Sequence, residues 1–305
     1  MTIQETFDAF MRSRRLAGLS AKTLTDYTMF VLPFVCSAGA DRSFEDLCQD
    51  DVNTYIDFVL TRPISKSSRA TYIRHLKVYL KWCEDTYSAG YCTKLIKVPK
   101  SPKKSVRIYS DAEVMQIFRA IGTENDWITL RNKCIIALMY DSGLRQSEVC
   151  RLRRCDISFD DSRIIVYGKG DKERIVPLGV LAKQFMTDYF SACPYACYSG
   201  AVVFVNRHGR ALTCNAVKLF VSKLADQLPF DLSSHKLRHN FATNYCIDQY
   251  EKYGQVDIYR LMYLMGHEEV ETTRRYLHLA YEIIACKGSV SHLDKLPDFT
   301  CRQKN

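Results

Sequence analysis

The chain has 305 residues, 47% hydrophobic and 25% charged, enough apolar content to bury an ordinary core and too much for a disordered chain. Its 43 basic and 34 acidic residues give a net charge of +9, a bias compatible with a polyanionic partner. The uncharged stretch 27–40 contains Pro33 and is too short to span a bilayer, and residues 1–15 are interrupted by Glu5, Asp8, Arg12, Arg14 and Arg15, so neither a membrane protein nor a secretory signal is expected. Thirteen cysteines without a single CxxC pair read as reduced thiols in a cytoplasmic protein, not as a zinc site or a disulfide framework.

The length suggests two domains. Residues 1–96 read as helices joined by polar turns. Ser20 is placed to cap a helix running to Val35, with Leu24, Tyr27, Met29, Val31 and Phe34 as its apolar surface. A second helix is expected from about Ser65 to Tyr87, where Tyr72, Ile73, Leu76, Tyr79, Leu80 and Cys83 share one face. Lys66, Arg74, Lys77 and Lys81 fall on an adjacent arc, which is either a solvated face or a stripe laid along DNA. Residues 97–106 form a basic linker that includes Lys100, Lys103 and Lys104, and Pro99 and Pro102 forbid a continuing helix.

Residues 107–305 make a longer, mixed domain. Asp111 is placed to cap a helix to about Ile121, and an apolar helix spans Leu130 to Tyr140. The β-branched runs Ile164–Tyr167 and Arg174–Pro177 predict two strands around the glycine-punctuated turn 168–173, with a shorter strand near Asp156–Phe159 before them. Helices are expected at about 179–192, 214–227, 235–250, 257–265 and 272–284, followed by a polar tail from Pro297. The fold class is therefore mainly α with a small antiparallel β-sheet.

Five separated boxes stand out: Gly143-Leu144-Arg145-Gln146-Ser147-Glu148, Gly168-Lys169-Gly170, His235-Lys236-Leu237-Arg238-His239, Met265-Gly266-His267 and Thr273-Arg274-Arg275-Tyr276-Leu277-His278. Singly each is weak. A lone tyrosine is usually core, an arginine a surface ion pair, and a lysine between glycines a soluble turn. In this order they resemble the tyrosine recombinase (phage integrase) family, whose boxes read G-L-R-x-S-E, G-K-G, H-x-L-R-H, L-G-H and T-x-x-Y-x-H. Met265 is the one departure inside the boxes, a volume-conserving swap for Leu. The stretch Cys246–Val256 also looks longer than in the simplest members.

The resemblance covers nearly the whole chain. It implies a helical, SAM-like core-binding domain followed by an α+β catalytic domain, a Xer-like layout without an arm-binding domain. It further implies a site-specific recombinase that cuts and rejoins DNA through a 3′-phosphotyrosyl link, in integration or excision of a mobile element or in Xer-type resolution. Tyr276 would be the nucleophile. Arg145 and Arg238 would clamp the phosphate oxygens with bidentate, charge-assisted bonds. His267 would donate to the phosphate, His235 would exchange the tyrosine proton, and Lys169 would protonate the leaving 5′-oxygen. Glu148, one turn from Arg145, would hold that guanidinium in place. With cations supplying the stabilisation, neither a metal nor another cofactor is expected.

The expected partners are duplex recombination sites with inverted half-sites, contacted through Lys66, Arg74, Lys77, Lys81, Lys100, Lys103 and Lys104, and further copies of the chain, up to a tetramer on DNA. A partner recombinase or accessory factor is compatible with this, and the bacterial cytoplasm is the expected location. By its pattern the apolar stripe Leu279, Ile283 and Ile284, with 290–296 beyond it, packs either on its own domain or on a neighbour, and the resemblance implies the neighbour. The rival readings are a type IB topoisomerase-like enzyme, a catalytically silent DNA-binding regulator and a metal-dependent transposase. The last would need a cluster of acidic residues on strand ends, which the sequence lacks.

Overall fold

The computed structural model describes residues 1–100, 107–124, 126–168, 172–195 and 200–288. Backbone contacts divide the chain into two compact units, 1–104 and 105–305.

The first unit is built from α1 (Ile3–Leu16), α2 (Ala21–Ala38), α3 (Gln49–Thr61) and α4 (Lys66–Thr86). Local chemistry sets their starts. Thr2 and Glu5 form a reciprocal capping box on α1, and the Ser20 and Ser65 hydroxyls accept backbone N–H bonds at the starts of α2 and α4. α4 buries Ile73, Leu76, Tyr79, Leu80 and Cys83, while Tyr72 is only partly covered. Phe7 and Phe10 of α1 and Phe34 of α2 close over this face. The Tyr79 hydroxyl meets Thr6 Oγ1 at 2.7 Å, so the buried polar tip is satisfied. α2 departs from the sequence expectation. Val31, Phe34 and Val35 are buried but Met29 is exposed, because only one arc of the helix meets α1 and α4.

The second unit begins with α5 (Asp111–Ile121), α6 (Trp127–Asp141) and α7 (Gln146–Arg151). The cap of α5 is Ser110, not Asp111, because the Ser110 hydroxyl accepts from the Glu113 N–H while the Glu113 carboxylate accepts from the Ser110 N–H. β1 (Ile157–Ser158), β2 (Arg163–Tyr167) and β3 (Glu173–Pro177) form an antiparallel sheet in sequence order, with Ile164 opposite Val176 and Val166 opposite Arg174. Ile164, Val166, Arg174 and Val176 face inward.

Then follow α8 (Val180–Ala192), α9 (Cys214–Ala225), α10 (Ser234–Tyr253), α11 (Ile258–Met265) and α12 (Val270–Gly288). α6 is apolar on nearly every side and forms the centre, packed against α8 and α10, while α10 in turn carries α12. Ile283 and Ile284 of α12 pack against this unit's own core. That part of the C-terminal stripe therefore packs within its own domain, and residues 290–296 lie outside the described residues. Among the described residues no helix is long and apolar enough to cross a membrane.

Leu76 is fully buried at the middle of the α4 face. Its truncation to alanine is expected to cost about 2–5 kcal/mol. This is read as a lower thermal unfolding midpoint of the first unit by circular dichroism on the full chain.

Candidate active site

Gly143 reverses the chain after α6 with φ at +65°, and a Cβ there would stand 2.3 Å from the Phe241 ring of α10. Both the left-handed backbone and the close approach require glycine. Leu144 then enters the core and Arg145 becomes the N-cap of α7. The first box thus pins Arg145 at a helix start between α6 and α10.

Glu148 gathers the charges. It is 5% exposed. Its carboxylate accepts from the Arg145 backbone N–H at 2.6 Å and from Arg145 Nη1 at 2.9 Å. Arg174 grips it as a fork, Nη1 and Nη2 each 2.7 Å from one carboxylate oxygen. Arg238 Nη1 lies 3.9 Å away. Burial by itself would raise the Glu148 pKa, but the Arg174 bonds and charge, followed by Arg145, outweigh it and hold the carboxyl down at about 2.

Arg238 is buried, donating Nη1 to the Gly143 carbonyl and Nη2 to the Met265 carbonyl. Burial, and next the charge of Arg145, push its pKa down to about 9, with Glu148 opposing, so it stays charged at neutral pH. Arg145 Nη2 donates to the next carbonyl, that of Gly266, at 2.9 Å. The first, third and fourth boxes thereby meet at one point.

Gly266 ends α11 in the left-handed conformation, and the His267 N–H turns back to the Met262 carbonyl at 3.1 Å. This helix stop delivers His267 toward α12. Its Nδ1 pairs with Thr273 Oγ1 at 2.8 Å, and its ring stacks on Tyr276 with centroids 6.2 Å apart. Tyr276 is 1% exposed. Its hydroxyl lies 2.6 Å from His239 Nδ1 and accepts from Arg275 Nη2 at 2.8 Å, and the Arg275 guanidinium sits 4.8 Å from the Tyr276 ring centroid.

One expected proton partner, His235, does not touch Tyr276 in this arrangement. His235 is exposed, with its ring 6.3 Å from that of His239, and it is His239, one helical turn further along α10, that holds the Tyr276 oxygen. The i, i+4 spacing puts both histidines on one helix face, and the depth of α12 decides which of them meets the tyrosine. The sequence pattern assigns no role to three neighbours: His239, Arg275 and Arg174. Arg174 had a legible signal, since strand alternation places it with Val176 on the core face, where a charge demands a partner.

The basic residues proposed for DNA separate into groups. Lys66, Arg74 and Lys100 are exposed. Lys77 is spent inside its unit, donating to the Ile96 carbonyl at 2.7 Å, and Lys81 is paired with Glu84 at 3.1 Å and Asp85 at 2.7 Å. Lys169, Lys103 and Lys104 lie outside the described residues. Arg145, Glu148, Arg174 and His267 border an open cleft of about 1250 Å³, which Tyr259 and Tyr263 of α11 also line. Among the described residues no group of three or more His, Cys, Asp or Glu is arranged to hold a metal ion.

Burial first, then neighbouring arginines, push His239 and His267 down from 6.5 to about 4. Both rings are neutral at pH 7, as two imidazoles among guanidiniums must be. Between 6.5 and about 4 the unfolded chain binds protons that the folded chain refuses, so stability falls as pH drops through that window. Glu148 adds a further loss from 4.5 toward about 2. The expected result is a melting temperature of the second unit that declines on acidification below 6.5, with a shallower decline in His239→Gln.

The model of the phage integrase family matches residues 108–282. A tyrosine recombinase XerC of Lacticaseibacillus casei is 25% identical over 280 residues, covering 85% of this chain and 89% of the relative. Two solved structures share the fold. The Tn1549 transposon integrase in complex with transposon right end DNA has a TM-score of 0.73 at 16% identity, over 95% of this chain and 100% of the other. The XerH site-specific recombinase bound to palindromic difH substrate has a TM-score of 0.72 at 20% identity, over 94% of this chain and 84% of the other. A family match spanning α5 to α12 takes in every described box that converges on Glu148 and Tyr276, and the chain belongs to the phage integrase family of tyrosine recombinases.

Proposed function

We propose that this site-specific recombinase cuts duplex DNA by attack of Tyr276 on a phosphodiester gripped by Arg145 and Arg238, and rejoins it by reversal onto another strand. The observation that carries the reading is the convergence of Arg145 and Arg238 on Glu148 and on the neighbouring carbonyls of Met265 and Gly266, next to a His267 ring stacked on Tyr276. Guanidiniums suit this work because their fixed forks match the non-bridging oxygens, where charge accumulates in the transition state. A tyrosyl phosphoester keeps the energy of the broken bond, so rejoining needs no nucleotide triphosphate.

The proton roles follow from the neighbours. In this arrangement the neutral His239 Nδ1 accepts from the Tyr276 hydroxyl and Arg275 donates to the same oxygen; His239, and His235 on the same helix face once the tyrosine oxygen moves out, are assigned its proton. His267 donates to the phosphate from the nitrogen that Thr273 leaves available. Lys169, which lies between β2 and β3 in the sequence and outside the described residues, is assigned the leaving 5′-oxygen. Tyr276 is buried and both guanidiniums are bonded to carbonyls, so this is a resting arrangement, and DNA must draw the arginine forks onto the phosphate and bring the tyrosine oxygen out. The substrate is a duplex site with inverted half-sites, acted on in the bacterial cytoplasm by chains that assemble to a tetramer when two sites pair. Xer-type resolution and movement of a mobile element both use this chemistry.

The decisive test is covalent trapping on a nicked suicide duplex whose half-sites have been selected from random-sequence DNA for binding to the full-length protein. The unsubstituted protein is expected to form a phosphotyrosyl adduct in the presence of chelator. Tyr276→Phe should bind the same duplex and trap nothing, and an undiminished adduct with that variant overturns the assignment.

The basic stripe of α4 is expected to act unevenly. Lys66→Ala and Arg74→Ala should each weaken DNA binding and lower the salt slope by about one counterion. Lys81→Ala, whose ammonium is already neutralised by Glu84 and Asp85, should change it little. Filter binding across a salt series reads the difference.

A further inference from the structure

We infer that Arg174 is a positioning residue for strand cleavage, acting through Glu148 on the Arg145 guanidinium that receives the phosphate. The inference rests on the phosphate-clamp reading of Arg145 given above.

Arg174 is 4% exposed, an unusual place for a charge on a five-residue strand. Each of its three nitrogens donates to one of two other elements. Nη1 and Nη2 hold the two oxygens of Glu148 in α7, and Nε donates to the Leu264 carbonyl at the end of α11, at 2.8 Å. One planar side chain therefore ties together β3, the helix that Arg145 caps and the helix whose stop delivers His267. Lysine, with a single compact ammonium, cannot span those three acceptors in one plane.

The packing around Gly266 is consistent with this role. A Cβ at that position would stand 3.2 Å from Arg174 Cδ and Nη1 and 3.4 Å from Arg145 Nη1. The bare glycine leaves room for both guanidiniums to lie side by side against the Glu148 carboxylate. Arg145 alone of the two reaches solvent, with 35% of its side chain exposed against 4% for Arg174.

The electrostatics give Arg174 its effect on chemistry. The charged groups facing Glu148 are Arg145 at the start of α7, Arg174 from β3 and Arg238 from α10. With Arg174 bound across both oxygens, the carboxylate is already neutralised, and the charge of Arg145 remains available to an incoming phosphate. Without Arg174, the buried carboxylate must draw on Arg145 for its compensation, which turns the fork inward and dulls its field. Glu148 would also take up a proton more readily, and a protonated Glu148 cannot orient Arg145 at all.

The test uses full-length protein and single-turnover cleavage of the selected nicked duplex. The rate constant belongs to the folded molecules and the amplitude to their fraction. Arg174→Met is expected to bind the duplex nearly normally and to lower the rate constant by about 10–100-fold. Its rate should also fall from about pH 7.5 to about pH 5.5 more steeply than that of the unsubstituted protein, as Glu148 protonates. Arg174→Lys, which keeps the charge but not the fork, should fold, lose a smaller factor in rate constant and show no extra acid limb. If Arg174→Met does not fold, Arg174→Lys decides the matter. A folded Arg174→Lys with the unsubstituted rate constant, or an Arg174→Met that loses amplitude alone, overturns the positioning role. Arg145→Ala measured alongside separates the two readings. If it is slow while Arg174→Lys is normal, only the positioning role fails. If Arg145→Ala cleaves at the unsubstituted rate, the clamp reading falls and the positioning role falls with it.

Discussion

A single carboxylate buried among three guanidiniums is the constraint on which the second unit depends. Removing one partner of such a pair typically costs about 3–5 kcal/mol, because the remaining charge is left without water or compensation. Glu148 therefore dictates how close α7, β3 and α10 must come. The carbonyls at 264, 265 and 266 complete the cage, taking one donor each from Arg174, Arg238 and Arg145. Three consecutive carbonyls are available because α11 stops there: the last turn of a helix leaves its C=O groups without intrahelical partners. Carbonyls that a helix end commonly leaves to water are used here to order a cluster of arginines.

The same crowding of positive charge explains the histidines. His239 and His267 are held neutral by burial and by the arginines around them. A neutral imidazole keeps a bare nitrogen that can accept a hydrogen bond, which an imidazolium lacks, so the arginines that depress these values also leave His239 Nδ1 able to accept from the Tyr276 hydroxyl. Tyr276 is enclosed by the same groups. Tyr276 lies between the His267 ring, His239 and Arg275, with almost no exposure.

The C-terminal stripe shows where an apolar pattern by itself is ambiguous. Ile283 and Ile284 are half-buried against the core of their own unit. They anchor α12, and with it Tyr276, to α10, which is a different task from reaching a neighbouring molecule. In the first unit the basic stripe divides in a similar way. Its four cations look equivalent on a helical wheel, yet Lys77 latches the segment after α4 and Lys81 is neutralised one turn along its own helix.

Local chemistry was legible from the amino-acid order. Serine caps mark the starts of α2 and α4, β-branched runs mark β2 and β3, apolar periodicity marks α4, a continuous apolar run marks α6, and the order of the five boxes marks the family. These features depend on neighbours a few residues apart, and periodicity reports them directly. Pairing across the fold was not legible. Arg174 finds Glu148 from 26 residues away, and His239 rather than His235 finds Tyr276 from 37. A helix face offers both histidines and a strand offers an arginine, and only the depth at which α12 and β3 pack selects among them. That depth is set by the summed contacts of the core, which no short window of sequence contains.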